Sequence, residues 1–104
     1  MSKTYNIKRG DTWPAITAQL LHQGNPINLS GAIVRLVARS TNVTIQRQAT
    51  ITNDLTGRVR CVLLPEDTAV AGHYHAEFEI TFVGGEKTTV PNNDYFSLLI
   101  TEDL

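Results

Sequence analysis

One cysteine, Cys61, stands in a chain of 104 residues, so no disulfide can form within it. That removes the disulfide-stapled secreted scaffolds as a class. Long apolar runs are missing too, and a membrane helix needs about 20 such residues in a row. The opening "MSKTYNIKRGDT" lacks the apolar centre of a secretory signal, which predicts a protein made and folded in the cytoplasm. Neither sign of charge dominates: nine basic residues against ten acidic ones leave a formal net charge of −1. Such a balance provides no overall field toward a phosphate backbone or an anionic bilayer, so neither nucleic acid nor membrane is an expected partner. There is no glycine loop of the phosphate-binding kind and no long helical periodicity.

What the chain does have is short alternating segments separated by turn residues, over a length suited to one small domain covering residues 1–104. Residues 4–8, 15–22, 32–39, 43–52, 58–64, 73–83, 86–90 and 95–101 read as strands. "GNP" at 24–26, "STN" at 40–42 and "NDLTG" at 53–57 read as loops, and Gly84-Gly85 as a two-residue hairpin turn with positive φ. "PEDTAVAG", residues 65–72, reads as a crossover with room for one helical turn, and Tyr74 just beyond it matches the position of the tyrosine corner of immunoglobulin-like sandwiches. These features predict an all-β fold, an antiparallel two-sheet sandwich of immunoglobulin-like topology. Shared parity on separate strands places Val34, Leu36, Val59, Cys61, Leu63, Tyr74, Phe78 and Ile80 in its core.

The stretch "GHYHAEFEITF", residues 72–82, carries the densest chemistry. In a strand His73, His75, Glu77 and Glu79 share one face, and Tyr74, Ala76, Phe78, Ile80 and Phe82 share the other. The apolar set belongs to the core. A His-x-His pair with a carboxylate could ligate a metal, and His73 to Glu79 matches the His-x-His-x3-Glu spacing of cupins. The flanking glycines of that pattern fall out of register, and no second histidine motif follows. The face therefore reads as a polar sheet surface without a metal or any other cofactor. Arg35 and Arg39 on one strand, and Arg58 and Arg60 on another, are its expected cross-strand partners, worth about 0.2–1 kcal/mol per pair.

The remaining motifs are weaker. "RGD" at 9–11 and the glycosylation acceptors "NLS" and "NVT" matter only on an exported protein. Cys61 shares parity with Val59 and Leu63 and reads as a small buried apolar residue, with no base beside it in sequence to make it a nucleophile. Trp13 precedes Pro14, a pairing that belongs at an edge or corner, where the indole is expected to close the core or, alternatively, to face a partner.

In order along the chain stand "GDT", "G-x-P-x-x-L-S-G-A" entering an arginine-bearing strand, "I-T-x-x-x-T-G-x-V", and "A-G-x-Y-x-A-E-F-E-I". This series resembles the N-terminal immunoglobulin-like domain of the phage baseplate upper protein family, from about Lys8 to Ile100. The resemblance implies a non-enzymatic structural part of a bacteriophage or prophage virion. Such a part would sit in a tail, baseplate or fibre attachment, or decorate the particle. Its partners would be other phage structural proteins and further copies of itself. The chemistry of the side chains, rather than the resemblance, marks Trp13, Arg35, Arg39, Arg58, Arg60, His73 and His75 as the expected contact residues, since arginine and tryptophan suit interfaces and the histidines lie on an outward face. Two alternatives compete with it. A carbohydrate-binding module on the same scaffold would need exposed aromatics, for which Trp13, Tyr5, Tyr95 and Phe96 remain, and a cupin-like metalloenzyme would need the histidine face to be a pocket.

Overall fold

The computed structural model describes residues 3–91 and 96–102. Every regular element among them is a strand: β1 (Thr4–Lys8), β2 (Ile16–Gln19), β3 (Leu21–His22), β4 (Asn25–Pro26), β5 (Ile33–Arg39), β6 (Thr44–Asn53), β7 (Arg58–Cys61), β8 (Gly72–Thr81), β9 (Lys87–Val90) and β10 (Phe96–Thr101). The alternation read from sequence is what makes them. In β8, Tyr74, Ala76, Phe78 and Ile80 are buried while the residues between them are exposed or half-buried. All eight residues assigned to the core are buried, none more than 2% exposed.

The strands join along one hydrogen-bonded path, β1-β10-β8-β5-β6-β7-β2, with β9 added to β8 and a separate β3–β4 hairpin. Pairing is antiparallel throughout except for β1, which runs parallel to β10. A division into two hydrogen-bonded sheets, as expected from the sequence, is not made, and the reason lies in β6. Its first six residues pair with β5, Thr44 to Ala49 against Arg39 to Val34, and from Thr50 onward it pairs with β7, with a register shift inside that pairing between Ile51 and Asn53. A bulge of this kind bends a strand and raises its twist. One ten-residue strand thus carries the path from β5 to β7, and the sheet wraps around a single apolar cluster that takes Ile16, Val59 and Leu63 from one side and Val34, Phe78 and Leu98 from the other. The ends of the path nearly meet: the Tyr5 hydroxyl on β1 donates to the Thr17 carbonyl oxygen on β2 at 2.9 Å.

Three local readings need adjustment. The 15–22 segment is two strands, β2 and β3, and the "GNP" loop contributes β4, which pairs back with β3. The Gly84-Gly85 hairpin closes on three residues rather than two: Phe82 donates its amide to the Glu86 carbonyl oxygen, Gly85 donates to that of Phe82, and only Gly85, at φ +90°, is left-handed. "PEDTAVAG" forms successive turns, Asp67 bonding to Leu64 and Thr68 to Pro65, without a helix. Tyr74 does make the corner expected of it, its hydroxyl donating to the Val70 carbonyl oxygen at 2.7 Å. Tyr95 lies outside the described residues.

Candidate interaction surfaces

The histidine–glutamate row of β8 lies on the outward face, and β5 runs beside it with Arg35 opposite Glu79 and Arg39 opposite His75. Arg35 donates to Glu79 at 2.7 Å and also to Gln46 of β6 at 3.0 Å, while Arg39 and Glu77 approach to 3.5 Å. Both carboxylates are thus engaged by guanidinium groups. Val37, between the two arginines on the same face, is only 2% exposed, so the ion pairs flank an apolar centre outside the main core. His73 and His75 stand edge to face with ring centres 5.3 Å apart, and His73 Nε2 lies 3.0 Å from Ser97 Oγ on β10. Among the described residues no three His, Cys, Asp or Glu side chains gather as a metal-binding group.

Arg58 and Arg60 do not join this face, contrary to the expected cross-strand pairing. β7 pairs with β2 and with the second half of β6, so Arg58 opposes Gln19 and Asn53, and Arg60 opposes Thr17 and Thr50. Both arginines instead line a groove of about 570 Å³ between the two ends of the sheet path. Its floor and walls include Tyr5, Ile16, Ala18, Phe78 and Phe96. Phe78 and Phe96 stack with centres 5.5 Å apart, Tyr5 meets Phe96 edge-on at 5.8 Å, and the Lys3 ammonium sits 4.8 Å above the Tyr5 ring. Sequence pattern alone does not find this groove, since it exists only because β1 and β2 are brought together from different parts of the fold.

Trp13 is 80% exposed and does not close the core. The inward position at that point belongs to Ile16, the first residue of β2, which is fully buried. The connection that carries Trp13 is held upstream of it, where Gly10 donates to the Thr68 carbonyl oxygen and the buried Thr68 hydroxyl donates to the Asp11 carbonyl oxygen.

One polar cluster was not anticipated. Arg47 of β6 holds Asp67 with two hydrogen bonds of 2.8 Å, and the Leu64 amide donates to the same carboxylate at 2.8 Å. Burial of Asp67 works against its charge, but the Arg47 and Leu64 hydrogen bonds and the Arg47 charge outweigh it, so the carboxyl is held below its usual range. The signal available was Asp67 in the 65–72 turn, placed to accept from its own backbone. Cys61 nearby has its thiol pushed up to about 11, chiefly by burial, so it stays protonated at neutral pH and is a poor nucleophile.

A family model described as the BppU N-terminal domain matches residues 2–102. Among solved structures, the N-terminal domain of phage TP901-1 ORF48 superposes with a TM-score of 0.71 at 16% identity, over 97% of this chain and 89% of that one. A putative glycoside hydrolase from Bacteroides vulgatus is similar with a TM-score of 0.50 at 13% identity, over 92% of this chain and 16% of that one. At such identities both likenesses concern the fold. No curated protein matches the chain.

Proposed function

This chain belongs to the BppU N-terminal domain family, that of phage baseplate upper proteins, and on that premise we propose that it is a non-enzymatic structural component of a bacteriophage or prophage particle, working through protein–protein contacts. The observation that carries the reading is the family match over residues 2–102. The side chains agree with it: the carboxylates of the histidine face are neutralised by Arg35 and Arg39, and the thiol of Cys61 is buried and protonated. We read the wrapped sheet as an immunoglobulin-like sandwich in which β6 serves both layers, with the Tyr74 corner as its support, and residues 1–104 as one module of it. In this account the protein is made in the bacterial host cytoplasm. It takes a repeated place in the tail, the baseplate or a fibre attachment, contacting neighbouring structural proteins and copies of itself. Individually weak contacts gain strength by repetition.

Deleting the gene tests this. The expected outcome is particles with altered distal tail structures under the electron microscope, or with reduced adsorption; unchanged assembly and adsorption would remove the proposal. A carbohydrate-binding role keeps one observation in its favour, the exposed Trp13 indole, the one exposed aromatic side chain among the described residues. A glycan array separates the two readings: binding that disappears in Trp13→Ala supports the second, and a blank array supports the first.

A further inference from the structure

We propose that the groove between β1 and β2 is a docking site for an extended acidic segment of another protein, which inserts as a strand between the two edges; the inference rests on the reading of the protein as a particle component. Three observations point there. First, β1 and β2 are the two ends of the sheet path, each paired on one side only. Adjacent strands lie about 4.7–4.9 Å apart, whereas here the gap is spanned by a whole tyrosine side chain, from Tyr5 on β1 to the Thr17 carbonyl oxygen. The seam is thus too wide for the edges to bond each other. A strand that displaces the Tyr5 hydroxyl from the Thr17 carbonyl oxygen would bond both edges, as in β-augmentation.

Second, the charge at the groove is one-sided. Of the six arginines, Arg9, Arg35, Arg39 and Arg47 each pair with a carboxylate. The remaining two, Arg58 and Arg60, both line this groove together with Lys3, and no acidic side chain lines it among the described residues. In a chain of net charge −1 this is a local concentration of cations with no carboxylate partner among the described residues, and guanidinium groups favour carboxylate partners. Third, the groove is apolar below its rim, with Tyr5 and Phe96 in edge contact. An extended segment alternates its side chains between two faces, so acidic residues at every second position would meet Arg58 and Arg60 while the apolar ones between them meet the half-buried Tyr5 and Ala18. The edges, five residues in β1 and four in β2, set the length of the inserted stretch. Single-stranded nucleic acid would also meet cations here, but it depends on aromatic faces open for base stacking. Phe78 and Phe96 are 2% and 9% exposed, which favours the peptide.

The probe is a displayed library of random heptapeptides selected against the folded protein. The expected result is enrichment of sequences with Asp or Glu alternating with apolar residues. Synthetic copies should bind more weakly as salt is raised, shift the backbone amide resonances of Thr17 and Gln19, and lose about tenfold or more in affinity for Arg58→Glu/Arg60→Glu. Both arginines are exposed on a strand surface, so the double variant keeps its fold, which its circular dichroism verifies. Enrichment without acidic residues overturns the proposal, as does equal binding by the charge-reversed variant or equal binding of an oligo-glutamate or oligo-thymidine probe. Its failure is separable from that of the particle role: a protein found in virions whose groove ignores acidic peptides loses only the groove.

Discussion

Gly57 shows how much one residue settles. At φ +70° it is left-handed, and a Cβ there would stand 2.7 Å from the Leu20 carbonyl oxygen and 2.9 Å from that of Ile27. The closeness is functional for the fold, because the Leu20 amide donates to the Gly57 carbonyl oxygen at 2.7 Å, tying the end of β2 to the β6–β7 turn. Gly24, at φ +82°, has nothing within 4 Å of its missing Cβ. Gly57→Ala is therefore expected to lose about 2 kcal/mol or more, from backbone strain plus a clash with main chain, and Gly24→Ala about 1 kcal/mol from strain alone. Urea unfolding of the two variants measures the difference, and equal losses would refute the close-approach account. Turn glycines such as Gly57 were legible from sequence because a left-handed position has few alternative occupants. The Trp13 environment was not, because a Trp-Pro pair marks a corner without saying which way the ring turns.

At the level of strands the alternation of β5 and β8 could be read almost to the residue, since a one-residue slip would bury Arg35 and expose Leu36. The face it produced was read correctly for Arg35 and Arg39, which β5 places beside Glu79 and Glu77. It failed for Arg58 and Arg60, because equal parity does not say which strand lies next to which. The turn between β7 and β8 hid its strongest device, Asp67, whose partner Arg47 comes from β6. Since the folded-state carboxyl lies below its unfolded value, the pair stabilises the fold above the ordinary carboxylate range. That stability is lost as pH falls through the depressed folded value. Asp67→Asn is expected to destabilise at pH 7 by about 1.5–3 kcal/mol, the worth of hydrogen bonds to a charged group, and to flatten the acid limb of the stability curve. Denaturant titrations of both proteins from pH 7 to pH 2 check this; parallel curves would show that Asp67 carries no such linkage.

For the molecule as a whole, the all-β class followed from patterns of a few residues, but the wrapping of the sheet did not. It depends on β1 pairing with β10 from the opposite end of the chain and on β6 passing from β5 to β7, neither of which leaves a local mark. The groove is a consequence of that wrapping, as is the separation of the cations into a set paired on the β5–β8 face and a set at the seam with no carboxylate partner among the described residues. A module built this way, with an ion-paired outer face, an open seam between β1 and β2 and family membership among phage baseplate proteins, is proposed to work by occupying a place among neighbours. The central claim is tested most directly by quantitative mass spectrometry of density-gradient-purified particles from the phage or prophage that encodes the chain. The account predicts its peptides at a fixed ratio to known tail proteins, in repeated copies per particle; abundant protein in the lysate with none in intact particles would contradict it.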